Sequence, residues 1–164
     1  MSRQTFVKSQ DGLYRSKGFV STEDLIDFAA EILYQELSHR TLLADPVDAA
    51  NYLRLKLALE ENEHFAALFL DSQNRLIAFK RLFSGTIDST IVHPRVVVQT
   101  ALSLNAAAVI LAHNHPSNDC EPSVSDKKIT RRLIDALALV DIRVLDHFIV
   151  SRSGWTSLVQ RGLL

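Results

Sequence analysis

Apolar positions recur along this chain with a helical period first and a strand-like period later. From Ser21 onward, Leu25, Phe28, Ala29, Ile32, Leu33 and Leu37 repeat at helical spacing, which predicts an amphipathic helix. Ser21 is placed to cap it, with Asp24 three residues on as the capping-box partner. Asp45-Pro46 predicts a second helix, an N-cap followed by proline at the first helical position. Its stripe is Ala49, Ala50, Leu53 and Leu57, with Leu59 as a further candidate. Residues 21–59 therefore read as a helical lead-in that covers the main domain or a partner. The residues before them are polar, contain Gly12 and Gly18 and carry no assignable period. They read as a flexible or loosely docked arm.

The rhythm changes at Glu63. HFAALFLD (64–71) is a strand candidate, Asp71-Ser72-Gln73-Asn74 is turn chemistry, and Leu76 to Phe83 is a second strand, so the pair predicts a hairpin. After Gly85 an irregular TIDSTIVH leads to Pro94, which opens an apolar helix from Arg95 to Leu104. Ala107 to Ala112 has the length and composition of a buried strand. Residues 123–140 form a helical pattern with Ile129, Leu133, Leu137 and Val140 on one face. Ile142 to Val150 and Trp155 to Val159 are further strands, joined by a turn at Ser153-Gly154. Strands alternating with helices after an initial hairpin predict an α/β fold, a mixed sheet with helices on its faces. There is no internal repeat.

Composition narrows the classes without naming one. A chain of 164 residues that is 47% hydrophobic is one ordinary globular domain with a short appendage. With 18 basic and 19 acidic residues its formal charge is −1, so no global field draws it onto DNA or an anionic membrane. A single cysteine, Cys120, excludes an internal disulfide framework and fits a reducing cytoplasm. No run of about 18 apolar residues predicts a transmembrane helix, and the polar N-terminus lacks the apolar core of a secretion signal. A cytoplasmic protein with no membrane partner is expected.

The chemistry concentrates between Ala107 and Asp126. The apolar run stops at His113 and His115, and in an extended chain alternate side chains point the same way, so both imidazoles can face one point. A loop broken by Pro116 and Pro122 follows, and Ser123 and Asp126 open the next helix. Two imidazoles and one carboxylate suit catalytic zinc, with the fourth position left for water. Ser123-x-x-Asp126 is equally an ordinary capping box, and both roles can hold at once.

These residues resemble a known motif. His113-Asn114-His115-Pro116 with Ser123 and Asp126 is similar to the JAMM motif, H-x-H-P followed by S-x-x-D, of the JAB/MPN metallopeptidases. The flanking text resembles the RadC branch: NRLI (74–77), SGT (84–86), VHPR (92–95), NAAAVILAHNHPS (105–117), RRL (131–133), VLDHFIV (144–150) and a terminal RGLL. The resemblance covers roughly 45–164 and divides the chain into an arm and helix (1–44) and a RadC-like JAB/MPN domain (45–164). It implies a cytidine-deaminase-like α/β/α fold and zinc held by His113, His115 and Asp126. It also implies an upstream glutamate that polarises the zinc-bound water. Glu63 is the best match, with Glu60 and Glu61 as neighbours. Ser123 matches a serine that stabilises the oxyanion. Asn114 stands where deubiquitinating members carry Ser or Thr, and insertion loops that grip ubiquitin are not evident.

The reading is a zinc-dependent hydrolase that cleaves a peptide or isopeptide bond of a peptide or protein substrate. The alternatives are a DNA repair or recombination factor and a non-catalytic interaction module on the same fold. Lys127, Lys128, Arg131 and Arg132 form a basic patch that gives nucleic-acid contact only weak support. The oligomeric state is open, with a homodimer as one option. Among the remaining residues, Cys120 reads as a bystander or oxidation-sensitive thiol ahead of a conditional fourth metal ligand, His147 as a buried hydrogen-bonded histidine or a group behind the metal ligands, and His93 as a helix cap. His39 and His64 read as surface or packing residues.

Overall fold

The computed structural model describes residues 6–39, 46–86 and 91–164. Among them the main sheet has five strands: β3 (His64–Leu70), β4 (Leu76–Ser84), β5 (Ala108–Asn114), β6 (Arg143–Val150) and β7 (Trp155–Ser157). Their order is β4-β3-β5-β6-β7. Only β5 and β6 run parallel, because the helix α4 (Val124–Ala138) carries the chain back between them. The other neighbours are antiparallel, so the sheet is mixed, as expected from the alternation of elements.

Strand alternation sorts the core into two halves. Ala66, Leu68 and Leu70 of β3 and Ala108, Ile110 and Ala112 of β5 face the helices α1 (Thr22–His39) and α2 (Pro46–Leu57). Phe65, Ala67 and Phe69, with Val109 and Leu111, face α4 and the helix α3 (Pro94–Ser103). Central strands β3 and β5 are thus buried on both sides, which is why they read as continuous apolar runs. Ala30 and Leu37 of α1 share one core with the sheet.

Several expectations are refined. Ser21 and Asp24 do form a capping box at α1: Asp24 N donates to Ser21 Oγ at 3.1 Å and Ser21 N to Asp24 Oδ2 at 3.0 Å. The α2 stripe Ala49, Ala50, Leu53 and Leu57 is buried, and Tyr52 joins it. Leu25 and Leu59, 49% and 54% exposed, lie off the covered faces. Asp45, the expected cap of α2, and the boundary expected between 44 and 45 fall outside the described residues.

The N-terminal arm is corrected. Phe6–Lys8 (β1) and Tyr14–Ser16 (β2) pair antiparallel, with Gly12 at φ 82° in the turn. Asp11-Gly12 is turn chemistry that three-residue strands left without a detectable period. Phe6 stacks on Phe28 at 4.0 Å and Tyr14 meets the same ring edge-on at 5.0 Å, docking the hairpin on α1.

Candidate metal centre

The site forms where β5 leaves the core. Val109, Leu111 and His113 share one face, and His115, the next residue in that alternation, turns the same way. His115 N donates to Val150 O at 2.9 Å, which extends the β5–β6 pairing by one residue and fixes the second imidazole. The turn after it is braced by Asn118 N donating to His115 O and by Asn118 itself at φ 67°. Pro122 is buried, and Ser123 then starts α4.

Three groups converge. His113 Nε2 lies 2.9 Å from His115 Nε2 and 3.2 Å from Asp126 Oδ1, and His115 Nε2 lies 3.7 Å from Asp126 Oδ2. Two ligands held about 2.0–2.1 Å from a tetrahedral ion stand about 3.3 Å apart, and these separations bracket that value. His115 Nδ1 is 2.7 Å from Asp119 O. A carbonyl can only accept, so Nδ1 carries the ring proton and Nε2 offers its lone pair. The donor set therefore fits a zinc ion in chemistry and spacing. Among the described residues, His113, His115 and Asp126 are the one cluster of this kind.

Asp126 forms the expected cap and also faces the two imidazoles. Its carboxylate accepts from Ser123 N at 2.7 Å while its own N–H donates to Ser123 Oγ at 3.1 Å, completing the capping box. Burial would raise the Asp126 carboxyl. The cap bonds from Ser123 oppose that rise.

Behind this cluster lies a buried chain. His113 Nδ1 is 2.9 Å from His147 Nε2, His147 Nδ1 is 2.6 Å from Thr130 Oγ1, and Thr130 Oγ1 is 2.5 Å from Asp126 O. His147 is wholly buried, and burial pushes its pKa well below the ordinary histidine value, with His113 adding to that push. Asp146 beside it forms no dyad with the ring. Its carboxylate accepts from the backbone of His147 and Val159 and from Ser157 Oγ.

Glu63 stands across the sheet. It directly precedes β3, whose residue Phe65 pairs with His113 in antiparallel register. The segment is held at both ends: Glu63 N donates to Thr86 O, and Gly85 N donates to Glu63 O. Asn114, buried and pointing to the other face, clamps it further. Its Oδ1 accepts from His64 N at 2.8 Å and its Nδ2 donates to Asn62 O at 2.9 Å. Glu60 is instead engaged by Arg81 at 2.5 Å and His64 at 3.4 Å, and Glu61 is exposed.

The remaining candidates separate from this cluster. Cys120 Sγ lies 2.9 Å from Ser151 Oγ. His93 occupies the N-cap position of α3, but its side chain makes no cap bond and its ring lies 6.0 Å from that of Phe83. Lys127, Lys128, Arg131 and Arg132 are exposed along α4. Sequence reasoning missed Thr130 and the clamp of Asn114. A polar residue on the apolar stripe of α4, one position after Ile129, was the available signal for Thr130.

Helices on both faces of a mixed sheet, a His-x-His pair at a strand end and an aspartate in the first turn of the next helix define a JAB/MPN-type domain. A family model described as a RadC-like JAB domain matches residues 43–163, and the chain belongs to that family. It is 55% identical over 140 residues to a UPF0758 protein of Vibrio cholerae serotype O1, covering 85% of this chain and 88% of the relative. A second UPF0758 protein of that organism is 50% identical over 151 residues, 92% and 96% of the two chains. A UPF0758 protein of Leptothrix cholodnii is 49% identical over 140 residues, 85% of this chain and 63% of the relative. No helix of the described residues is long and apolar enough to cross a membrane.

Proposed function

We propose that this protein is a zinc-dependent hydrolase of the JAMM type, cleaving a peptide or isopeptide bond. The observation that carries the reading is the convergence of His113 Nε2, His115 Nε2 and the Asp126 carboxylate within 3.7 Å at the end of β5. These three residues would hold the ion. Bound there, zinc supplies Lewis acidity, which lowers the pKa of water toward about 7 and polarises a carbonyl.

The chain's own groups supply the rest. Glu63 accepts the proton of the attacking water and returns it to the leaving amine, so the amine departs neutral. Ser123 Oγ accepts from the backbone in the cap, which leaves its hydroxyl hydrogen to donate to the substrate oxygen as charge develops there. Cap and oxyanion donor are compatible because they use opposite ends of one hydroxyl.

Metal analysis of purified protein beside the His113→Ala/His115→Ala variant is the test. About one zinc per chain is expected in the wild type and almost none in the variant. Equal zinc in both sinks the site. With zinc-loaded protein and a diverse peptide library, Glu63→Gln is expected to keep the metal and lose about 10²–10⁴-fold in rate. Full activity in that variant would move the role to another group.

A further inference from the structure

We infer that Thr130 and His147 are positioning residues that fix where the ring proton of His113 sits, so that its Nε2 lone pair faces the metal. The inference rests on the zinc reading above and adds two residues to it.

The protons along the buried chain are fixed from one end, by the group with no choice. Asp126 O is a backbone carbonyl and can only accept. Thr130 has one hydroxyl hydrogen, and at 2.5 Å from that carbonyl it donates there. The alternative, giving the hydrogen to His147, sets an oxygen lone pair against a carbonyl oxygen at that distance. Thr130 Oγ1 must then accept from His147 at 2.6 Å, which puts a proton on His147 Nδ1. With one proton on that ring, His147 Nε2 is bare and accepts. The contact of 2.9 Å is made by His113 Nδ1, which therefore carries the His113 proton. His113 Nε2 is left with its lone pair directed at His115 and Asp126.

The count runs in one direction only, and each member is buried: Thr130 is 2% exposed, His147 0% and His113 1%. The chain also closes on itself, since the carbonyl that starts it belongs to Asp126, a proposed ligand. His115 achieves the same state by a separate route, through Asp119 O. Hydrogen bonds of this kind from metal-ligating histidines typically change metal affinity by about 10–100-fold when removed.

The test has two arms. In ¹⁵N-edited spectra of metal-free wild-type protein, His147 is expected to be protonated at Nδ1 and bare at Nε2. A ring protonated at Nε2 overturns the inference. In the second arm, zinc affinity is read by competition with a chromophoric chelator. Thr130→Val, nearly the same shape without the hydroxyl, should weaken binding by about 10–100-fold, and Thr130→Ser should stay within a few-fold of wild type. Thr130→Val binding zinc as tightly as wild type overturns the proposal. So does an equal loss in both variants, which would mark a packing effect. Wild-type protein that binds no zinc would refute the hydrolase reading, while the first arm would still decide the proton arrangement.

Discussion

Asp146 shows how one buried residue can make stability depend on pH. Burial raises its carboxyl pKa, and the hydrogen bonds from Ser157, Val159 and His147 only partly oppose it. The folded chain therefore holds this proton more tightly than the unfolded one. The linked stability is fully present below the ordinary value of 3.8 and is lost as pH rises through the raised native value. Asp146→Asn is frozen in the neutral form. Its amide oxygen can take the two backbone bonds and its NH₂ can donate to Ser157. The unfolding free energy of the variant, relative to wild type, should rise as pH climbs from the ordinary value of 3.8 through the raised native value, and then level. Urea denaturation across that range checks it, and a constant or falling difference would rule it out. Asp146 and His147 adjoin in sequence, and only the alternation of a strand told that they serve different faces.

At the scale of elements, β5 was the most legible part of the chain. Two-residue periodicity placed His113 and His115 on one side, and the proline-braced loop returned Asp126 to them. The relay was legible only in part: His147 read as a buried, hydrogen-bonded histidine, but its partners did not. Thr130 lies on α4 and His147 on β6, so their contact depends on how the crossover helix sits over the parallel pair, which no local pattern encodes. The β1–β2 hairpin escaped because its strands are three residues long. The strip carrying Glu63 is a related case. Asn114 continues the β3–β5 pairing with its side chain beyond the strand's own register. Asn114→Ala should expose the His64 amide to faster hydrogen exchange and cost about 1–3 kcal/mol, since it leaves buried polar groups unpaired. Zinc content should be unchanged. Unaltered exchange at His64 would show that the strip is held without the clamp.

For the whole molecule, the site ties a central strand to a helix that covers it, so filling it should stabilise the fold. An ion that binds only the native state adds about 2.7 kcal/mol at a free concentration one hundred times its Kd. For a chain of this length that is a rise of roughly 5–10 °C in Tm. Calorimetry of zinc-loaded and chelator-stripped protein checks this, with His113→Ala/His115→Ala expected to show no difference between the two conditions. An equal shift in that variant would mean the ion acts elsewhere.

The parts of the site are distributed unevenly along the chain. The proposed ligands and the groups behind them all belong to one strand–helix–strand segment from β5 to β6. Glu63 comes from the hairpin that precedes it. The proposed holders of the ion and the proposed acid–base group therefore sit in separate inheritable modules, with Ser123 on the holders' side. A descendant could lose the glutamate by a single substitution and survive as an ion-holding scaffold. The reverse route, from scaffold back to catalyst, would need only that one position restored.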